Sequence, residues 1–448
     1  MSAPDPSPSA KASPDYNGVL PELTAGRWRD PETGQIQTVP VEEILIAETL
    51  EGREAELVAR RHPGKSLLVV SGENTYAALG ARVARALRPL GNVREFVWKN
   101  PRCTGEGVDE LMKATAGAEA LIAVGSGTVS DSVKYGAFLT KREFSVFPTA
   151  PMNAYTAPTA SVSFEGFKKS ISCQSARGVF FDLGVLAKSP WRLISAAFAD
   201  AVASRTTSQV DWLLSHLLLG TPYREAPYTL LAYDEPALMD HADKLLSGDV
   251  AMLAALTRVC AMVGLGTSIV GTTHPSSMGE HLISHYIDMF AGAQHPGSSH
   301  GEQVGVATVT LSKLQNEILR AGRPPVLQPT SVPAEELRFR FGAAAGTMIE
   351  QGTRKALDAA KTRALNQRLD REWPVLGERL LAVTVPYDKV VAAMTAAGCP
   401  LTPADIRLDP KFYRDAVRYA RFIRDRYTML DIAGDAGLLE AFVGTLDD

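Results

Sequence analysis

The stretch Leu121–Gly136, LIAVGSGTVSDSVKYG, decides how the chain is read. It opens with an apolar run, turns through Gly-Ser-Gly, and continues with helical spacing from Thr128 to about Leu139. A strand that turns at glycines into a helix start suits a dinucleotide pyrophosphate. The backbone can approach closely, free N–H groups point outward, and the helix dipole favours the anion. Gly125 and Gly127 do not complete G-x-G-x-x-G, because Ser130 holds the third glycine position, and no Gly-Lys-Ser/Thr follows for a Walker A loop. A purely structural strand-to-helix turn fits Gly125-Ser126-Gly127 equally well. Asp131 falls in the first helical turn, where negative charge is favourable. A phosphate would repel it, so it is expected to face ribose or nicotinamide.

Outward from this stretch the pattern repeats. Residues 66–70 (SLLVV) read as a strand, followed by a helix that spaces Ala77, Leu79, Val83, Leu87 and Leu90 and stops at Gly91. EFVWK is a second strand, Val108–Ala116 a helix, and FSVFPTAP a strand ending at proline. Strands alternating with helices imply a parallel sheet with crossovers. After about residue 190 the strand-like runs nearly vanish. Amphipathic stretches dominate at 193–218, 235–262, 278–291, 301–320, 333–349, 351–370, 387–397 and 410–433.

The expected fold is therefore α/β plus all-α. A Rossmann-like parallel-sheet domain spans 41–190, a helical metal-binding domain spans 191–448, and the active site lies in the cleft between them. Residues 1–40 read as a disordered tail rich in Pro, Ser and Ala, followed by a β-hairpin arm or oligomer contact in GRWRDPETGQIQTVP.

At 448 residues the chain exceeds one core and fits two domains. A net charge of −4 gives no support to nucleic-acid or acidic-membrane binding. No uninterrupted run of 18 apolar residues suggests a membrane span, and the N-terminus lacks the apolar core of a secretory signal. Cys103, Cys173, Cys260 and Cys399 lack CxxC spacing, which argues against a disulfide framework or a thiolate zinc site. Reduced thiols in a cytoplasmic protein are expected, with homo-oligomerisation left open.

Three distant segments offer metal ligands: Asp200 in FADAVASRTTSQVDW, His281 in GEHLISH and His300 in SSHGEQVG. Two neutral imidazoles and one carboxylate suit a divalent metal kept open for catalysis. A lone histidine is more often a satisfied core or surface imidazole, but five of the eight histidines fall within 274–300, which weakens that explanation. His281 and His285 share a helix face. His274 and His295 lie in Gly/Pro/Ser-rich loops and are expected to be solvent-exposed. Asp200 sits among Ala196, Ala197, Phe198 and Val202, where an unpaired carboxylate is costly. Asp211 reads as an ordinary surface charge.

On these residues, and on GENTYAALG, PTAPMNAYTAPTAS and IRDRYTMLD, the chain resembles the metal-dependent polyol dehydrogenase superfamily over about residues 40–435. Within it the chain is most similar to the sn-glycerol-1-phosphate dehydrogenases. That resemblance implies Asp200, His281 and His300 as ligands of a divalent metal, zinc first, with iron or nickel as alternatives. It implies His285 as a proton relay, and Gly125, Ser126, Gly127, Thr128 and Asp131 as the loop holding NAD or NADP. Glu73 and Asn74 would lie under the adenosine, and Thr149 and Ser163 would border cofactor and substrate.

Two departures stand out. Gly72 occupies a position where relatives usually carry the aspartate that binds the adenosine ribose, which leaves NADP open. Asn153 stands where most relatives have a substrate-contacting aspartate, so Asn153 is both a catalytic and a substrate candidate. Lys168 and Lys169 are placed to meet a substrate phosphate, or are two solvated loop lysines. The implied reaction interconverts dihydroxyacetone phosphate and sn-glycerol 1-phosphate. The alternatives are the same chemistry on another small phosphorylated or phosphonylated aldehyde or on a polyol, a dehydroquinate synthase-like lyase, or a relative that binds cofactor without catalysis.

Overall fold

The apolar run ahead of the glycine loop becomes an interior strand of a six-stranded, all-parallel sheet in the computed structural model, which describes residues 15–164 and 167–446. The disordered tail expected at the N-terminus falls, over residues 1–14, outside the described residues. The strands are β1 (Glu43–Ala47), β2 (Leu67–Gly72), β3 (Val93–Trp98), β4 (Ala120–Gly125), β5 (Glu143–Pro148), β6 (Thr159–Phe164), β7 (Phe167–Ser172) and β8 (Gly178–Asp182). The main sheet runs β1-β8-β5-β4-β2-β3, and β6 and β7 form a separate antiparallel pair. Every residue of β2 and β4 is buried, because helices cover both sheet faces; this is why both strands read as unbroken apolar runs. β1 and β8 escaped the sequence reading, since five-residue runs such as EILIA and GVFFD carry little periodicity. Lys168 and Lys169, for which two solvated loop lysines are one of the two expectations, lie on β7 of this pair.

The glycine loop opens α1 (Gly127–Thr140), capped by Ser126 in extended conformation. The helical half begins with α2 (Trp191–Ala203). The single helix expected over 193–218 is broken by a π-helical turn, Ser204–Ser208, before α3 (Gln209–Leu219). The expected helix over 235–262 also divides. Two short helices, Glu235–Asp240 and Asp243–Leu246, precede α4 (Val250–Val270), with Gly248 supplying a left-handed turn (φ 75°). α4 is long and apolar enough to cross a membrane by composition, but 83% of its apolar window is buried inside the protein, so it is a core helix here. Next come α5 (Gly279–Phe290), α6 (His300–Arg320) and α7 (Ala359–Val383). The stretch expected to be helical over 410–433 splits into Pro410–Tyr419 and Met429–Asp435, with an irregular segment between them. Of the N-terminal arm, the structure keeps one antiparallel bridge, Arg29 to Ile36, and a short helix whose Leu20 and Leu23 join the core.

One apolar cluster runs from the sheet (Val70, Leu121, Val146, Val179) into α2 and α4 (Phe198, Ala199, Leu256, Val263), so the two halves share a core. Small residues set how closely the helices meet. A Cβ at Gly301 would overlap the Ala196 carbonyl, and one at Gly305 would lie 3.0 Å from the Ala199 Cβ. α6 therefore lies against α2 almost backbone to backbone, with His300 and Asp200 at the crossing. Gly264 of α4 does the same against the Asn153–Ala157 turn.

This packing yields a paired expectation. Gly301→Ala forces the crossing apart, and overpacking of this kind costs about 1–3 kcal/mol. Gly346→Ala meets nothing within 4 Å and replaces a helical glycine, a change worth about 1 kcal/mol in the stabilising direction. Thermal unfolding should show the first midpoint lowered and the second held or raised. A Gly301→Ala midpoint equal to the parent's rules out the close crossing.

Candidate metal and nucleotide centre

Three helices bring Asp200, His281 and His300 to one point, where a ligand atom of each lies within 4.8 Å of the others. Asp200 and His281 are buried and His300 is partly so. The His281 and His300 ring centroids are 5.2 Å apart. His281 Nε2 stands 3.3 Å from Asp200 Oδ1, yet that buried oxygen has no aligned hydrogen-bond partner. A buried carboxylate oxygen left this way is costly, and a cation shared by all three groups removes the cost. Three protein donors with one position left open fit a catalytic divalent ion, with bonds of about 2.0–2.2 Å.

The supporting groups are equally specific. His281 Nδ1 contacts Glu280 Oε1 at 2.8 Å. Glu280 is fully buried and accepts from Ser208 Oγ (2.6 Å), Thr207 Oγ1 (3.1 Å) and the Met278 N–H (2.9 Å). The two hydroxyls come from the π-helical turn after α2, which re-aims them toward α5; such turns recur at functional sites. A carboxylate behind a ligating imidazole fixes its tautomer and raises its basicity. Burial depresses the His281 ring, but Asp200 and Glu280 more than reverse this and raise it to about 9. His300 Nδ1 meets Ser284 Oγ at 3.0 Å, and Ser284 in turn donates to Gln303 Oε1. Sequence reasoning passed over Glu280 and Ser284, although both lie inside GEHLISH. Glu280 had one visible signal, a carboxylate beside a candidate ligand.

Asp211 is no surface charge. It is fully buried and accepts from Gln315 Nε2 (2.9 Å) and the N–H groups of Met429 and Gly279. Burial, then the nearby Glu280 charge, pushes its carboxyl up to about 8. The sequence had offered a polar neighbourhood on a helix; the C-terminal helix that closes over it is invisible locally. His274 and His295, expected to be exposed, are half-buried. The first stacks near Trp212, and the second contacts Asp288 and Gln303.

His285 sits one helical turn beyond His281, buried and stacked on His300 with ring centroids 5.6 Å apart. Its Nδ1 has no partner. Burial, then the Arg424 and Lys168 charges, hold the ring well below its usual value, so it is a neutral base. Asn153 lies against Asp200, where its amide helps hold that carboxyl below the ordinary range even though burial, the largest influence, raises it.

The segment Thr149–Thr156 ties this centre to the glycine loop. The Thr149 N–H and the Tyr155 hydroxyl both donate to the Gly125 carbonyl, at 3.3 and 3.1 Å, and Thr156 Oγ1 donates to Ala261 O of α4. Neither Gly125 nor Gly127 has a positive φ. Their role is close approach: a Cβ at Gly127 would overlap Met152 Sδ, and one at Gly125 would lie 2.9 Å from Thr75 Oγ1. Ser126 and Thr128 flank the glycines at the start of α1. Asp131 points away from the loop, accepting from Lys134 Nζ (3.3 Å) and the Ser161 N–H (3.0 Å). Its carboxylate anchors β6 to α1 rather than standing free for ribose. Glu73 and Asn74 are exposed at the exit of β2. Ser163 lines a cleft of about 800 Å³ with Trp98, Arg102 and Tyr135. Pro101 packs over Gly72, and a Cβ there would lie 3.1 Å from its Cγ. A side chain in that turn would need the proline ring to shift slightly.

Strand alternation separates the two lysines. Lys168 reaches Asp288 on α5 at 2.6 Å, beside the histidines. Lys169 is exposed, its ammonium 5.9 Å from the Phe164 ring centre, and takes no part in the site. The expectation that both could meet a substrate phosphate is corrected to Lys168 alone.

A parallel-sheet half with a glycine loop, joined to a cluster of two histidines and one aspartate, fits a metal-dependent dehydrogenase. Residues 46–190 match the iron-containing alcohol dehydrogenase family. A glycerol-1-phosphate dehydrogenase [NAD(P)+] of Halalkalibacterium halodurans is 31% identical over 257 residues, covering 55% of this chain and 64% of that protein, a little under two thirds. One of Methanosphaerula palustris is 30% identical, over 61% of this chain and 75% of the relative. One of Bacillus velezensis is 26% identical over 92% of this chain and 96% of its own length. The crystal structure of glycerol dehydrogenase from Schizosaccharomyces pombe shares the fold, with a TM-score of 0.61 at 15% identity over 91% of each chain. The chain belongs to the iron-containing alcohol dehydrogenase family and is an NAD(P)-dependent dehydrogenase.

Loss of a group behind a metal ligand commonly weakens metal binding by about 10- to 100-fold. Glu280→Gln is expected to fall in this range and His281→Ala to lose metal altogether, as read by titration against a competing chelator. Parent-like affinity in Glu280→Gln overturns the role assigned to that carboxylate.

Proposed function

We propose that this enzyme interconverts dihydroxyacetone phosphate and sn-glycerol 1-phosphate, using NAD or NADP and one divalent metal held by Asp200, His281 and His300. The observation that carries this is the convergence of those three side chains on one point, joined through Thr149–Thr156 to the glycine loop. The names of the curated relatives point the same way.

A divalent cation supplies Lewis acidity toward a carbonyl or alkoxide oxygen, and the nicotinamide supplies or accepts the hydride. The chain's own residues do the rest. Gly125, Ser126, Gly127 and Thr128 leave room and N–H groups for a pyrophosphate at the start of α1. Glu280 and Ser284 hold the two imidazoles in one orientation. In the reducing direction hydride goes to the carbonyl carbon and a proton must reach the oxygen. His285, neutral and with a free Nδ1, is placed to pass that proton by way of water. Zinc suits the donor set, and iron or nickel would also be accepted by it.

Asn153 favours a second reading of the substrate. It contacts Asp200 as a neutral amide where an aspartate would add negative charge. Another small phosphorylated or phosphonylated aldehyde therefore remains the alternative. With Gly72 in that turn and Pro101 over it, no side chain at position 72 opposes a 2′-phosphate, which admits NADP beside NAD.

The test is spectrophotometric, with metal content confirmed first. Oxidation of sn-glycerol 1-phosphate should proceed with NAD, NADP or both; failure with both cofactors sinks the substrate assignment. In the same assay His285→Ala should keep its metal and lose about 10²- to 10⁴-fold in rate. If that variant is also metal-free, the His281 and His285 roles are reversed. Asn153→Asp on a panel of sn-glycerol 1-phosphate and other small phosphorylated or phosphonylated substrates separates the two substrate readings, since a gain confined to glycerol phosphate marks Asn153 as the specificity change.

A further inference from the structure

Between the helices Pro410–Tyr419 and Met429–Asp435, the irregular segment Ile423–Thr428 carries two arginines, Arg424 and Arg426. Arg426 is spent there: it donates to the Ser277 carbonyl and to Thr273 Oγ1, pinning the turn before α5. Arg421, just upstream, is paired with Asp431 and Asp435. Arg424 differs from both. Among the described residues it forms no ion pair, and its guanidinium makes one side-chain hydrogen bond, to Ser170 Oγ on β7 at 3.3 Å. Its neighbour Asp425 turns outward to Arg354.

Ser170 lies two residues beyond Lys168 on β7, hence on the same face. Lys168 is held at 2.6 Å by Asp288, which also accepts from Gln303 Nε2 and contacts His295 Nε2. The lysine's charge is thus locally balanced and the arginine's is not. Lys168 reaches Asp288, three residues past His285 on α5, and Arg424 bonds Ser170 on the same face of β7, so both cations lie at the His285 end of the site. Arg424 is only partly buried and can be reached from solvent. A planar fork of N–H donors without a carboxylate is matched in charge and shape to a phosphate.

We propose that Arg424, with Lys168 beside it, seats the phosphate of the substrate on the open side of His285. The arginine is a substrate-binding, specificity-determining residue contributed by the far C-terminal part of the chain. The inference rests on the reading that this site takes a small phosphorylated substrate.

The test compares two ketones with the same reacting carbonyl, dihydroxyacetone phosphate and dihydroxyacetone, on the metal-loaded enzyme. For Arg424→Ala, KM for the phosphorylated ketone should rise by about 10- to 100-fold, the value of a hydrogen bond to a charged group, with kcat less affected. The kcat/KM for dihydroxyacetone should fall by a much smaller factor than that for the phosphorylated ketone, and Arg424→Lys should recover part of the difference. If the parent enzyme shows no preference for the phosphorylated ketone, the underlying substrate reading fails. If the parent has that preference and both variants keep it, the Arg424 assignment fails alone. Should Arg424→Ala not fold, Arg424→Gln decides: equal loss on both ketones makes the residue structural and overturns the proposal, while loss confined to the phosphorylated one supports it.

Discussion

The constraint on which the rest depends is the near backbone-to-backbone crossing of α2 and α6. Asp200 lies in the last turn of α2 and His300 opens α6, and neither side chain reaches far. They can share an ion only if the two axes approach closely. Gly301 and Gly305 on one side and Ala196 and Ala199 on the other remove the side chains that would hold the helices apart. Interiors are close-packed, so the spacing of two helices is set by the side chains between them. A centre built in this way sits on rigid elements, and its geometry follows from what is missing at the crossing as much as from the ligands.

The second constraint is the short segment from Thr149 to Thr156. It takes hydrogen bonds to the Gly125 carbonyl at one end and to the Ala261 carbonyl of α4 at the other, and it carries Asn153 against Asp200 between them. The glycine loop and the Asp200–His281–His300 cluster thus share one strip of chain. Hydride transfer demands that donor and acceptor carbons stay within a few tenths of an ångström of a productive distance, and positioning of that kind supplies much of an enzyme's rate. A strip bonded at both ends gives that positioning a structural basis.

Much of this was legible in the sequence because the relevant signals are local. β4 is unbroken Ala, Leu, Ile and Val because helices cover both of its faces, and the glycines after it are spaced for close approach. Asp200, His281 and His300 stood out because a carboxylate amid alanines and a cluster of histidines are locally unusual. The features that escaped are those fixed by distant chain. Asp211 looks like any helical aspartate until the Met429 N–H and Gln315 arrive from elsewhere. Asp131 looked free for ribose until Lys134 and the β6 backbone took its carboxylate. Lys168 and Lys169 could not be told apart without knowing that they lie on a strand. The π-helical turn at Ser204–Ser208 left no periodic trace, since one extra residue in a turn does not disturb an amphipathic pattern enough to be seen.

That turn carries a consequence for how the chain tolerates change in length. Successive residues of an α-helix are about 100° apart around the axis, so removing one residue from 204–208 would swing everything beyond it by that angle relative to Asp200. Thr207 and Ser208 would leave Glu280, Asp211 would leave the Gly279 and Met429 amides, and the metal-ligand side chain upstream would be untouched. Single-residue insertions and deletions, usually harmless in loops, are therefore excluded from a stretch of helix that looks regular and carries no ligand of its own.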